Sequence, residues 1–232
     1  MHFEPLNIVL FLLLLAGCQT ETNTIEQRAK AQQHKTEKLL TECEPFLFRY
    51  FQAADDRAMA SAVIYPELLR YSILRDKIEI GALKTLYIQY GSNYANFSIG
   101  PFQMKPTFAE KIEKECLKYQ LPFFTANDTL HTTHTRALRV KKLSESEGQV
   151  QYLLAFLVVT RLLFVNYPFS SIEEEVRLYA TAYHTGCLND IEKIKQIQHQ
   201  KYYHTDLWPD KNTVYHNYAR IALYGYKHST FQ

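Results

Sequence analysis

The chain has 232 residues, of which 47% are hydrophobic and 22% are charged, and its formal net charge is +2. Ample apolar content with only 7 Gly, 8 Pro and 4 Cys argues against a disordered chain, a collagen-like repeat and a disulfide-dense miniprotein. The near-zero net charge gives no electrostatic reason to expect a nucleic acid partner, because phosphate binding usually leaves a clearly basic face.

A short apolar run opens the chain. Residues 6–17 are apolar except for Asn7, and as a helix they are too short to cross a hydrocarbon core of about 30 Å, which is typical of a signal peptide. The run ends in LAGC at 15–18, which resembles a bacterial lipobox with a lipidated cysteine. We therefore expect a signal peptide over 1–17 and a lipid anchor on Cys18, which would hold the protein on the outer membrane, facing the periplasm. An ordinary signal peptide with an incidental cysteine is the alternative.

The next segment is polar, and the rest of the chain has helical periodicity. Residues 18–43 are rich in Glu, Gln, Lys and Thr, which predicts a tether or an exposed helix. Over 44–232 apolar residues recur at helical spacing, without a strong strand pattern or an internal repeat, so we expect one mainly α domain. The expected helices cover 44–53, 56–72, 76–90, 101–118, 135–143, 147–166, 171–185, 190–200 and 213–226.

Two further features concern the core. Residues 152–165 form the most apolar stretch of this domain, and their length, with Thr160 and Arg161 in the run, suits a buried helix better than a bilayer span. Apart from Cys18, the chain has three cysteines, which allow at most one intramolecular disulfide in an oxidising compartment. The sequence does not indicate which two would pair, or whether all three are buried free thiols. The three cysteines are Cys43, Cys116 and Cys187.

Three separated segments carry the functional signal. They are AVIYPEL at 62–68, SIGPFQMKPT at 98–107, and ATAYHTG at 180–186, which is followed by YARI at 218–221. In this order they resemble motifs of the lysozyme-like domain of soluble lytic transglycosylases and the related goose-type lysozymes. The resemblance covers most of the span 55–226 but is dense only in these segments.

The resemblance implies a lysozyme-like helical fold and cleavage of peptidoglycan glycan strands without a cofactor. Glu67 stands at the position of the catalytic acid. In that family the lone Glu protonates the glycosidic oxygen and then acts as base on the muramoyl 6-hydroxyl, which closes a 1,6-anhydro ring. Gly100 would allow close backbone approach to sugar, and Tyr183 would donate a hydrogen bond to Glu67. The substrate-binding residues implied in this way are Ser98, Gly100, Gln103, Met104, Tyr183, His184 and Tyr218.

The apolar residues around Glu67 agree with the role of a general acid, but Pro66 leaves open where in a helix Glu67 lies. Ile64, Tyr65 and Leu68 are apolar, and burial among them would disfavour the charged carboxylate, as a general acid requires. Pro66 would kink the chain if it lies inside a helix. At a helix start it would instead place Glu67 at the positive end of the dipole, which favours the charged form.

Most glycosidases use a second carboxylate, and the sequence does not identify one. Asp55, Asp56, Asp76 and Glu79 are candidates, but they lie in charged stretches and are expected to be structural. A site with one carboxylate fits the transglycosylase reaction. The alternative within enzymes is a lysozyme-type hydrolase in which a carboxylate such as Glu79 positions water.

Departures from the family pattern support a different class of function. Leu68 stands where the family has Ser, His184 stands where it has Asn, and the 36 positions from Glu67 to Gln103 are more than usual. They motivate the alternative of a catalytically silent lipoprotein that binds peptidoglycan. A metal site at His131 and His134 is not expected, because no third ligand is evident. Protein partners and oligomeric state are not indicated.

Overall fold

The computed structural model describes residues 32–74, 80–188, 190–206 and 208–231. This part of the chain is mainly helical, as the apolar periodicity predicted, and its only β pairing consists of two isolated bridges. The helices are α1 (32–50), α2 (Ala54–Leu74), α3 (Gly81–Tyr90), α4 (Pro106–Lys118), α5 (Thr133–Ser144), α6 (Ser146–Leu163), α7 (Ile172–Thr185), α8 (Ile191–Ile197) and α9 (Tyr218–Lys227), with a short 3-10 helix at Ala126–Thr129. The expected signal peptide at 1–17, Cys18, Asp76 and Glu79 lie outside the described residues.

Helix α1 corrects the expectation of a tether or exposed helix for residues 32–43, the described part of the 18–43 segment. The helix runs through the boundary expected at residue 44, and Leu39, Cys43 and Leu47 are buried in the core. Their spacing of four residues places them on one face of the helix, while the polar residues between them face water. The folded domain therefore includes the described residues from 32 onward.

The starts of α4 and α9 each lie five positions after the expected residue. Helix α4 begins at Pro106 instead of residue 101, because Pro106 occupies the first helical position and Lys105 before it is extended. Helix α9 begins at Tyr218 instead of residue 213, because the side-chain oxygen of Asn217 accepts a hydrogen bond from the backbone N–H of Arg220 at 2.8 Å. Both starts were expected too early because the preceding loop also contains apolar residues.

Helix α6 is the core helix that the apolar run predicted. Tyr152, Leu153 and Phe156 are among its fully buried residues. Burial of each large apolar side chain contributes roughly 1.5–3 kcal/mol to stability. Helix α6 packs against α4 and α5, and α2, α7 and α9 pack against one another beside it. Among the described helices, none is both long enough and apolar enough to cross a membrane.

The cysteines in the described part of the chain are not bonded to one another. Cys43 and Cys116 are buried free thiols, and Cys187 is a partly exposed free thiol. Burial raises the pKa of Cys43 to about 11 and that of Cys116 to about 12. Because the thiolate is the reactive form, these two thiols are chemically inert near neutral pH and belong to the core.

Candidate active site

Glu67 and Pro66 both lie in the interior of α2. This location decides between the two readings of the proline, because Glu67 is not at a helix start. Pro66 has no N–H and leaves one helical hydrogen bond unmade. The hydroxyl of Tyr203 donates to the carbonyl of Pro66, and the hydroxyl of Tyr218 donates to the carbonyl of Val63 at 3.2 Å. Two buried tyrosines from later in the chain therefore hold this turn of α2.

The Glu67 side chain is buried and only partly hydrogen-bonded. The residue is 4% exposed, and its Oε1 lies 2.9 Å from Nδ1 of His184. Its Oε2 is buried and has no hydrogen-bond partner among the described residues. A buried polar atom without a partner is uncommon and costs roughly 1–3 kcal/mol. A ligand that hydrogen-bonds Oε2 would remove that cost.

His184 reaches Glu67 from the last turn of α7. The helix ends at Gly186, which adopts the left-handed conformation with φ 64°. The His184 ring packs against the rings of Tyr218, Tyr202 and Tyr203, with centroid distances of 4.3, 5.2 and 5.8 Å. With a proton on Nδ1, this ring donates to the Glu67 carboxylate. The residue expected to bind substrate thus also orients the candidate catalytic group.

Three buried tyrosines and one partly buried tyrosine surround this pair. Burial raises the pKa of each hydroxyl, and the negative charge of Glu67 raises it further. For Tyr202 the pKa reaches about 12. These hydroxyls stay protonated near neutral pH and can donate hydrogen bonds, but they do not act as bases. The four are Tyr183, Tyr202, Tyr203 and Tyr218.

Glu67 lines a cleft of about 350 Å³, which is within the size range of small-molecule sites. The walls come from α2, the loop before α4, the first two turns of α4 and the end of α7. All three sequence segments therefore meet at one cleft, although they are far apart in the chain. The residues expected in the site that line this cleft with Glu67 are Ser98, Gln103, Met104, Tyr183 and His184.

The loop between Ser98 and Met104 is a tight turn. Ile99 and Met104 form an antiparallel bridge, and the side-chain amide of Gln103 donates to the carbonyl of Gly100 at 2.9 Å. Gly100 and Gln103 both have left-handed backbones, with φ 65° and 51°. This turn directs Ser98 and Gln103 toward both the Glu67 cleft and a second cavity, of about 270 Å³, which they also line.

Gly100 is needed for packing in this turn, a role that the sequence did not predict. A Cβ on Gly100 would lie 2.3 Å from Nε2 of Gln149, so that side chain approaches the backbone closely here. Gly100 lines the second cavity and not the Glu67 cleft. Gln149 is fully buried, accepts from the backbone N–H of Phe102 and donates to the carbonyls of Ile99 and Leu143. Sequence reasoning missed Gln149, although a glutamine within the apolar α6 was a signal.

Two tyrosines differ from their expected roles. The expectation that Tyr183 donates to Glu67 is wrong, because its hydroxyl donates to the carbonyl of Phe102 at 2.7 Å. Tyr218 does not line the cleft. It is fully buried, and it supports His184 through ring contact and Val63 through its hydroxyl. Tyr183 therefore lines the cleft without bonding Glu67, and Tyr218 supports the cleft wall without lining it.

Sequence reasoning missed much of the cleft wall. Helical spacing from the motifs was the available signal, because residues three or four positions apart share a helix face. Arg70 follows Glu67 by three positions, and Lys111 follows Thr107 by four. The missed lining residues are Arg70, Asn96, Lys105, Thr107, Phe108, Lys111, Thr185 and Gly186.

A second carboxylate does not accompany Glu67 in the described part of the cleft. Asp56 is paired with Arg161 at 2.5 Å, and Asp55 is exposed. Asp56 lies eleven positions before Glu67 on the same helix, a rise of about 16 Å, whereas paired catalytic carboxylates lie roughly 5–10 Å apart. Among the described residues, no group of three or more His, Cys, Asp or Glu could hold a metal ion.

No family model, no curated protein and no solved structure matches this chain. Its function is therefore inferred from the chemistry of the cleft and from the resemblance of its three motifs.

Proposed function

We propose that this protein is a lytic transglycosylase that cleaves the MurNAc–GlcNAc β-1,4 bond of peptidoglycan, on a lysozyme-like helical domain. The meeting of the three motif segments at one cleft around Glu67 carries the proposal. Residues that bind sugar must converge in space, and chance motif matches have no reason to do so. Leu68, which departs from the family pattern, is buried in the core and does not line the cleft.

The proposed reaction needs only one carboxyl group. Glu67 protonates the glycosidic oxygen as its bond to the muramoyl C1 breaks. The resulting carboxylate then takes the proton of the muramoyl 6-hydroxyl while that oxygen bonds to C1, which closes the 1,6-anhydro ring. Glu67 ends in its starting protonation state, and no water is consumed. Glu67 is the one carboxyl group among the described residues of the cleft wall, and this reaction requires no more than one.

Other cleft residues have supporting roles in this proposal. His184 orients the Glu67 carboxyl through the contact at 2.9 Å. Ser98, Gln103 and Asn96 offer polar groups for sugar hydroxyls at the cleft wall. We also propose the lipid anchor at Cys18 and the outer membrane as the location, since a membrane anchor would keep the domain close to its substrate.

Mass spectrometry of the soluble products from peptidoglycan sacculi tests the proposal. We expect products one water lighter than hydrolysed muropeptides from the mature chain, and their loss with Glu67→Gln. Asp55→Asn is the matched control, because it removes an exposed carboxylate of the same helix. Products with a reducing end would instead establish a hydrolase, with Glu79 as the first residue to test.

A catalytically silent peptidoglycan-binding protein is the second candidate. It is favoured by the low exposure of Glu67 and by the engagement of its Oε1 with His184. A binder of this kind would retain sacculi in a pelleting assay and release no soluble products, and Glu67→Gln would leave its retention unchanged. Turnover that depends on Glu67 would eliminate this candidate.

A further inference from the structure

The cleft carries more positive than negative charge. Arg70, Lys105 and Lys111 line it, and Glu67 is the only carboxyl group among the described lining residues. Arg70 lies on α2 one turn beyond Glu67, Lys111 lies on α4, and Lys105 immediately precedes α4. We call these three residues the basic wall. The net charge of the whole chain is only +2, so the excess of cations here is local.

The cations of the basic wall have no carboxylate partners within 4.0 Å among the described residues. Elsewhere, Arg139, Arg161 and Lys142 each form an ion pair with a carboxylate. Lys111 donates only to a neutral group, the carbonyl of Gly186, at 2.5 Å. The basic wall is therefore a set of positive charges without internal neutralisation.

Arg70 is the most informative member of the wall. It is half-buried, and its Nε is buried with no hydrogen-bond partner in the described structure. A guanidinium cannot lose its charge in a protein, so incomplete hydrogen bonding at a partly buried position costs free energy that a ligand can recover. Its planar donor fork matches the two oxygens of a carboxylate better than single sugar hydroxyls.

We infer that the basic wall binds a carboxylate of the substrate beside the bond that is cleaved, an inference that rests on the proposed function. In peptidoglycan this carboxylate has two sources, both on the lactyl group of the muramoyl residue. One is the free lactyl carboxylate where the peptide has been removed, and the other is a carboxylate of the attached peptide. A neutral glycan would lack the group that the basic wall recognises.

The test compares three forms of one substrate with the mature protein. The first is sacculi with acetylated amines, the second is the same material with its carboxylates converted to amides, and the third is glycan strands freed of peptide, with their lactyl carboxylates either free or converted to amides. We expect amidation to raise the KM of the wild type about tenfold, the effect of losing one charge-assisted hydrogen bond. A rise in KM on amidation of the sacculi assigns the peptide carboxylate, because a lactyl group that carries a peptide is already an amide, and a rise only on amidation of the peptide-free strands assigns the lactyl carboxylate.

Charge-removing variants link this preference to the basic wall. Arg70→Gln and Lys111→Gln should each raise the KM for native sacculi about tenfold and abolish the effect of amidation. Arg70→Lys should retain part of the effect of amidation. Lys114→Gln is the matched control, because Lys114 is an exposed lysine of the same helix as Lys111 and lies outside the cleft. Lys105→Gln repeats the test at an exposed position where misfolding is not expected.

A binding assay separates failure of this inference from failure of the proposed function. Glu67→Gln protein should bind substrate with free carboxylates about tenfold more tightly than its amidated form, for the sacculi or for the peptide-free strands according to the source, and added salt should reduce that difference. Equal binding, or equal turnover by the wild type, of the amidated and unamidated forms of both sacculi and peptide-free strands would overturn the inference and leave the proposed reaction intact. Unequal binding with no turnover of any substrate would instead refute the proposed reaction.

Discussion

Glu113 and Glu67 are both buried, at 2% and 4% exposed, but their surroundings differ. The Oε1 of Glu113 accepts hydrogen bonds from Tyr152 at 2.5 Å and from Arg139 at 2.9 Å, and its Oε2 accepts from Arg139 at 2.5 Å. Arg139 also donates to the hydroxyl of Tyr87 and to the carbonyl of Asp128. Glu67 has His184 at one oxygen and no partner for the other among the described residues.

The difference separates a structural carboxylate from a functional candidate. Where each buried polar atom is bonded, the network gains rigidity and nothing remains for a ligand. Where an oxygen lacks a partner and the residue lines a cleft, the missing hydrogen bond is available to substrate. Glu113 therefore belongs to the core between α4, α5 and α6, and Glu67 belongs to the cleft.

The largest expected effect concerns the cleft. Glu67→Gln should lower turnover by about 10³-fold, within the range that general acid–base catalysis contributes, and change the free energy of unfolding by less than about 1 kcal/mol. Product release from sacculi and urea denaturation measure the two effects. A loss of several kcal/mol in the free energy of unfolding would contradict the contrast between Glu67 and Glu113, because it would show that Glu67 stabilises the fold as Glu113 does.

The next effect concerns the core network. Arg139→Met should lower the free energy of unfolding by about 3–5 kcal/mol, since it leaves the Glu113 charge buried without its partner. The matched control is Arg161→Met, which breaks a partly exposed pair with Asp56 and should cost about 1 kcal/mol or less. Urea denaturation of both variants checks this difference, and equal losses would argue against it.

The turn at Gly100 connects the cleft with the core, because Gln149 of the core helix α6 packs against it. Gly100→Ala should destabilise the protein by about 2–4 kcal/mol, from backbone strain at φ 65° and from overlap with Gln149. Gly81→Ala is the control, since its added Cβ meets no atom within 4 Å, and it should be neutral or stabilising by up to about 1 kcal/mol. Thermal unfolding should separate the two variants, and similar melting temperatures would rule out the packing role.

A smaller effect tests how His184 acts on Glu67. His184→Phe keeps an aromatic ring but removes the hydrogen bond, and it should lower kcat on the order of tenfold to a hundredfold through misplacement of the carboxyl group. KM should change little if His184 is a positioning residue. His184→Asn should retain more activity, because its amide can still donate. A change in KM alone would show that His184 serves only to bind substrate.

The smallest effect concerns a carboxylate at the surface that is well hydrogen-bonded. Hydrogen bonds from Tyr167 and from the hydroxyl and backbone N–H of Ser170 lower the pKa of Glu174 to about 2. Because the folded pKa is below the unfolded value of about 4.5, this contribution to stability is present above pH 4.5 and is lost as pH falls toward 2.

Glu174→Gln and Tyr167→Phe should each flatten the decline in stability across this pH range. Urea denaturation between pH 2 and 5 measures it. An unchanged slope in both variants would show that these hydrogen bonds do not couple folding to protonation of Glu174.

The sequence by itself determined the mainly α class and the buried helix α6. Both follow from the spacing of apolar residues along a few turns, which depends only on helix geometry and the hydrophobic effect. It also singled out Glu67 and five of the residues that line the cleft with it, because these lie in short motifs with recognisable patterns. Features that depend on a few neighbouring residues could therefore be predicted from the sequence.

Only the tertiary structure decided which groups meet. Glu67 and His184 are 117 positions apart, and the partner of Tyr183 is a backbone carbonyl 81 positions away. Periodicity predicts the buried face of a helix, but it does not predict which side chain of another helix lies opposite, since that depends on how the helices pack. The same packing buries one face of α1 and brings the basic wall to Glu67. Specific hydrogen bonds depend on distances of a few tenths of an ångström, which are set by the whole core and not by any local segment.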